Sequence, residues 1–478
     1  MREDFFNEER QELEELLHAY ANLRTGKSHS FLEEDAFEQI IDYFDDQDDL
    51  VKATEATELA LEYYPYSTNL LIKKADFLIA ARKYHEALEV LDQANGLGTN
   101  DISLYILRTD AYLALDQQET AARLLEDALY SFDGEERIDL LFELADVYDD
   151  YEEFDKVFDC LKMILEAEPA NEEALYKICF WTDFTGRYEE SIHLHQEAID
   201  KVPYSELAWF NLGAAYQGIK LYEKAIDAYQ YAIAINEKFD YAYRNMSDAY
   251  IRIRKYKEAI EALKKLLEFT RPEEILYEAI GHCYHKMKNF AQARFHFRKA
   301  SHFNPGESKL YHKIALTYMD EKQWEPAMRS LETALKLNKN APEFNLAMGE
   351  CKMNVNNFKE AIQYFSTAVA LRPKNATCWE ALIRCMYVAK YYEEAIEQVH
   401  VAMTSIESNP IFIFYYSLLL FAMKKWKEGL IQLEKGMQLS PRLLKKVIDV
   451  NPAILQNVKV VDIIARYKKT KKGKSHEE

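Results

Sequence analysis

Alanines and aromatic residues set the first regularity of this sequence. Tyr222, Ala225, Tyr229 and Ala232 fall three or four residues apart and would form one apolar stripe of a helix. An aromatic residue followed three positions later by a small one returns at Tyr256 and Ala259, Phe290 and Ala293, Trp324 and Ala327, Phe358 and Ala361, Tyr392 and Ala395, and Trp426 and Gly429. Each pair lies 34 residues after the last. Backwards, Tyr188 with Ser191 and Phe154 with Val157 keep the phase. Two extra residues near Asp133 and Gly134 shift it, after which Ala121, Ala87 and Ala53 resume it. The period divides residues 34–443 into twelve repeats: 34–67, 68–101, 102–137, 138–171, 172–205, 206–239, 240–273, 274–307, 308–341, 342–375, 376–409 and 410–443.

The prolines check this phase independently. Pro65, Pro169, Pro203, Pro305, Pro373 and Pro441 all occupy position 32 of their repeats. Pro272 is one residue later, Pro342 and Pro410 open repeats, and Pro326 starts a second helix. Proline lacks a donor N–H and fits breaks and first turns; only Pro452 lies outside the scheme. Each repeat therefore reads as helix–turn–helix, with small residues (Gly213, Ser247, Gly281, Ala315, Gly349) where paired helices approach. No repeat can bury its stripe alone, so neighbours must stack around a continuous core.

Residues 206–239 carry Trp209, Leu212, Gly213, Tyr216, Ala225, Tyr229 and Ala232. This pattern resembles the tetratricopeptide repeat (TPR) family, although Glu237 stands at the closing proline position. The resemblance implies an all-α protein, an α–α superhelix or TPR solenoid, whose first helices line an inner, concave groove. Ahead of it, residues 1–33 hold an acidic amphipathic helix, with Leu13, Leu16, Leu17 and Tyr20 on one face, expected to cap the stack. Leu444, Val447, Ile448, Val458, Val461, Ile464 and Ala465 predict capping helices over 444–467, and residues 468–478 read as a basic, disordered tail.

Charge changes this picture. Residues 1–200 hold 50 acidic and 16 basic side chains, whereas residues 201–478 hold 31 and 43. Nucleic acid is not an expected partner of so acidic a chain. The apolar run Ile411–Met423 is too short to span a bilayer, the N-terminus has no hydrophobic signal region, and a cytoplasmic location is expected. Six cysteines without CxxC spacing read as reduced and packed.

No phosphate-binding glycine loop and no H-E-x-x-H motif appears, so no enzymatic activity, cofactor or metal is expected. His282, His285 and His312 map to the inner face, but Lys286, Lys309 and Lys313 beside them would repel a cation.

What remains is a surface for protein or peptide. By family analogy, positions 2, 5, 6, 9, 12 and 13 of the first helix face the groove. Asp42, Asp76, Asp110 and Asp146 share one such position in four successive repeats and would stack as a carboxylate ladder, joined by Glu143 and Asp149. Tyr176, Phe180, Phe184 and Phe210 follow, either as core or as exposed anchors, and then Arg244, Lys309 and Lys313. Asn211 and Asn245 sit where some TPR superhelices grip a peptide backbone. Asp248 and Ala279 stand where the chaperone-binding subclass has asparagines, so that clamp is not expected. Leu346, Phe414, Tyr415, Leu418 and Phe421 would make repeats ten to twelve an apolar groove. The expected function is a scaffold that favours basic partners. The alternatives are a subunit of a larger complex, self-association through the basic tail, or a regulatory partner of an enzyme on another chain.

Overall fold

One backbone device punctuates every repeat. At position 15 the chain turns through a left-handed residue: Asp48, Arg82, Asp116, Glu152, Lys220, Arg254, Lys288, Lys322, Asn356, Lys390 and Lys424 have φ between 55° and 65°, and Gly186 has φ 72°. Such a residue ends a helix and lets following N–H groups return to its last carbonyls. After Asp116, for example, Gln117 N–H donates to Tyr112 O at 2.8 Å. The second helix then starts and runs back against the first. The next first helix is often capped by a side chain at position 34: Ser67 accepts from Leu70 N–H, Asn171 from Ala174 N–H and Ser205 from Ala208 N–H.

The computed structural model describes residues 2–25, 31–406 and 409–474, leaving aside the side chains of 2–10, 12 and 468–474. Among these residues every element is helical. Two compact units divide the chain, Met1–Ala249 and Tyr250–Glu478. In the first, the helix Arg2–Arg24 precedes first helices at Glu34–Asp46, Thr68–Ala80, Ile102–Ala114, Gly134–Asp150, Glu172–Thr185 and Glu206–Gly218. The fourth starts at Gly134, ahead of the repeat boundary drawn at residue 138, and absorbs the shift of phase as an extended helix of 17 residues. Tyr20 of the leading helix is buried in one core with Phe37, Ile40 and Ile41.

Position 8 meets position 24 inside the repeat. A Cβ on Gly213 would lie 2.6 Å from a Tyr229 ring carbon; Gly281 and Gly349 face Phe297 and Phe365 in the same way, at 2.7 and 2.6 Å. The glycines are therefore required by close approach in a helical conformation. In repeat five Cys179 and His195 replace this pair. His195 is fully buried, neither ring nitrogen has a hydrogen-bond partner, and burial pushes its pKa down to about 3.

In the second unit the apolar stretch of repeats ten to twelve is core and not an open groove. Phe414, Tyr415, Leu418 and Phe421 are buried, and Leu346 is partly buried against the same cluster. That cluster continues into the chain's own C-terminal segment through Leu444, Val447, Ile454, Val460, Ile463 and Ile464. The segment comprises a short helix, Leu444–Val450, and a last helix, Val458–Lys474. The latter carries helical backbone into the basic run expected to be disordered; residues 475–478 lie outside the described residues.

Candidate partner-binding face

The first helices of the N-terminal unit bring carboxylates from successive repeats together. Burial raises the Asp76 carboxyl above its ordinary range, and Asp45 of the preceding repeat adds to this. Burial and then Asp76 do the same to Asp110. Glu143 is raised by burial, by Asp110 and by Asp146, with Lys177 opposing; Asp149 is raised by burial, Asp150 and Asp146. A contiguous run thus passes from Asp45 through Asp76, Asp110 and Glu143 to Asp146. Mutual repulsion and lost hydration act in the same direction on its members.

Its ends carry cations. Asp42 is paired with Lys73, so Asp45 takes the place in the run that position 9 suggested for Asp42. At the far end Lys177 lies 2.9 Å from Glu173 and 3.7 Å from Asp146, with its ammonium 5.0 Å from the Phe142 ring centre. These flanking lysines were legible as residues, but their pairing depends on rotamers that repeat position does not set.

Beyond Lys177 the helix Glu172–Thr185 presents aromatic rings. Tyr176, Phe180 and Phe184 are 70%, 61% and 56% exposed, so they are not core. They are spaced four apart and form one row. Phe180 and Phe184 stack at 6.0 Å, Phe154 supports Phe184 edge-on at 4.6 Å, and Trp181 stacks on Phe154 at 5.4 Å. Phe210 is half-buried among Tyr229, Phe239 and Tyr241.

One of the asparagine expectations changes. Asn211 is 2% exposed and donates to Leu175 O at 2.7 Å, tying repeat six to repeat five. A side chain sealed between neighbouring repeats is not available to grip a ligand. Asn245 is half-buried beside the buried Tyr229 hydroxyl.

Arg244 lies 3.7 Å from Asp240, Lys313 is paired with Glu278, and Lys309 is exposed. In the second unit Lys309, His312, Lys313, Phe344 and Arg372 line a groove of about 430 Å³, where Arg372 already holds Glu343 at 2.6 Å. His285 contacts Asp320 at 2.7 Å, while burial lowers the pKa of His282 and His312. Among the described residues, no group of three or more His, Cys, Asp or Glu is placed to hold a metal ion. No described helix is long and apolar enough to cross a membrane.

Two family models match the sequence. One, described as tetratricopeptide repeat, matches residues 184–238 and 346–402. The other, the tetratricopeptide repeat protein 21 C-terminal ARM domain, matches residues 217–346. No curated protein matches. Among solved structures, the chain is similar to the C-terminal part of a TPR repeat-containing protein from Cytophaga hutchinsonii, at 12% identity over 53% of this chain and 99% of that one, with a TM-score of 0.43. It is also similar to the APC/C hetero-tetramer Cut9-Hcn1, at 14% identity over 81% of this chain and 90% of that one, with a TM-score of 0.36. Helix pairs recurring at one period, with the TPR model matching in both compact units, are consistent with a tetratricopeptide-repeat protein.

Proposed function

We propose that the chain is a non-enzymatic protein-binding scaffold whose N-terminal unit captures a positively charged segment of a partner protein. The observation that carries this reading is the carboxylate run on the first helices. Asp76 and Asp110 stand within electrostatic reach of other carboxylates, and among the described residues neither makes an ion pair. A cationic segment laid across them would relieve repulsion that the free protein sustains, and long-range attraction would speed its approach. Asp42 and Asp146 would exchange their present lysine partners for the ligand's cations. A cytoplasmic location belongs to the same proposal, supported by six cysteines that are all free thiols.

The test is a titration of a fluorescein-labelled arginine-rich peptide by anisotropy, at low and high salt. Asp42, Asp76, Asp110 and Asp146 changed together to Asn should weaken binding at least about tenfold, while the helical circular-dichroism signal stays that of the parent. Binding that survives this change, or that ignores salt, refutes the reading.

A further inference from the structure

The C-terminal unit shows what the first-helix face can hold. The short helix Leu444–Val450 packs on the first helix of repeat twelve, Ile411–Ala422, and reaches the first helix of repeat eleven, Ala376–Val388, through Lys446. Its Leu444 and Val447 are buried. Lys446 Nζ reaches both carboxylate oxygens of Glu380, at 3.0 and 2.9 Å, and just beyond the helix Asn451 Nδ2 donates to the Tyr387 hydroxyl at 2.7 Å. Glu380 and Tyr387 are positions 5 and 12 of their repeat. The face is therefore occupied by an amphipathic helix, apolar side inward, with a lysine on its flank reaching a carboxylate.

In repeat five, positions 5, 9 and 13 of the first helix are Tyr176, Phe180 and Phe184. Among the described residues nothing in the N-terminal unit covers them, and their exposures of 56% to 70% are large for an aromatic row braced from behind by Phe154 and Trp181. The row runs for eight residues, about 12 Å or a little over two turns, matching the apolar stripe of a second helix. Next to it, Lys177 of the same helix reaches Asp146 of repeat four, whose neighbours are Glu143 and Asp149. Lys177, held between the Phe142 ring and Asp146, shows that a cation fits between ring and carboxylate here.

We infer that the Tyr176–Phe180–Phe184 row seats an amphipathic helix of a partner protein, one that carries an apolar stripe flanked by lysine or arginine. This rests on the basic-partner reading and adds the ligand's conformation. Charge alone would accept an extended basic peptide equally well; the row of rings and the helix seated on the first-helix face of the C-terminal unit favour a helical one.

Two labelled peptides of about four turns and identical leucine, lysine and alanine content separate these cases. One spaces its leucines three and four apart, and the other alternates leucine with lysine. The helical design should bind the full-length protein at least about tenfold more tightly and gain helical signal on binding. Phe180→Ser with Phe184→Ser should remove that preference, as should Tyr176→Ser to a smaller degree, the latter altering only an exposed ring. Equal affinity for the two peptides, or a preference untouched by all three serines, overturns the inference and leaves the basic-partner reading standing. Failure of both peptides to bind at low salt overturns both.

Discussion

Repeats five and eleven turn one face of the first helix, with position 5 in common (Tyr176 and Glu380), to opposite ends. In repeat eleven, Glu380 and Tyr387 contact a segment of their own chain beside an apolar core, while Val388 at position 13 stays 47% exposed. In repeat five, Tyr176, Phe180 and Phe184 face solvent, and Lys177 of the same helix reaches Asp146 of repeat four. The backbone device and the phase are shared, so neither explains the difference. What differs is the supply of a covering element: the C-terminal unit brings one within its own sequence, and the described residues of the N-terminal unit bring none to this row. In a stacked-repeat protein, position within the repeat sets which way a side chain points. Exposure is set by what is laid over it.

The largest effect should come from breaking the covered side. Val447→Asp would place an unpaired carboxylate in the core shared by Val447, Leu444 and Tyr415. Urea unfolding should show a loss of about 3–4 kcal/mol in the C-terminal unit, with increased binding of a hydrophobic dye. The matched change on the open side, Phe184→Asp, should cost less than about 1 kcal/mol, because the ring is already largely in water. Similar costs at the two sites would mean that covering does not distinguish the two faces.

Removing charge on the open side should give a smaller effect of opposite sign. Asp76 and Asp110 have pKa values raised by burial and by neighbouring carboxylates. A carboxyl whose folded pKa exceeds its unfolded value destabilises the fold when ionised; the penalty is complete above the folded pKa and fades as pH falls through it. Asp76→Asn with Asp110→Asn should therefore raise the melting temperature at pH 7, and the gain should shrink toward pH 4. A lower melting temperature at neutral pH would show that these carboxylates are satisfied within the chain. It would also remove the electrostatic basis for a cationic partner.

Much of this arrangement was legible in the sequence. Alanines at position 20, glycines at position 8 and prolines at position 32 gave the helix pairs, because close packing leaves a fixed mark on residue size. The carboxylates of repeats two to four were legible for the same reason, since phase fixes direction. Three things were not. Phe414, Tyr415 and Leu418 looked like a groove because the sequence does not say that Leu444 and Val447 return to cover them. Asn211 looked like a ligand contact because its bond to Leu175 O depends on the distance between neighbouring repeats. The left-handed residue at position 15 left almost no trace, since only Gly186 among its occupants is a glycine.

That hidden turn gives the smallest and cleanest test of what the two units share. Asp116, in the N-terminal unit, and Lys322, in the C-terminal unit, hold φ of 56° and 59°. A side chain in this conformation costs about 1 kcal/mol, whereas glycine avoids that strain but loses more chain entropy on folding. The net gain from Asp116→Gly or Lys322→Gly should be about 0.5 kcal/mol, and nearly equal at the two sites if the turn is indifferent to the face it supports. The reverse change, Gly186→Ala, meets no atom within 4 Å of the new Cβ, so its cost, about 0.5–1 kcal/mol, would be that of the backbone alone. Unequal gains at Asp116 and Lys322, measured by chemical denaturation, would mean that the turns differ between the units, and that the contrast between the open and covered faces begins in the backbone.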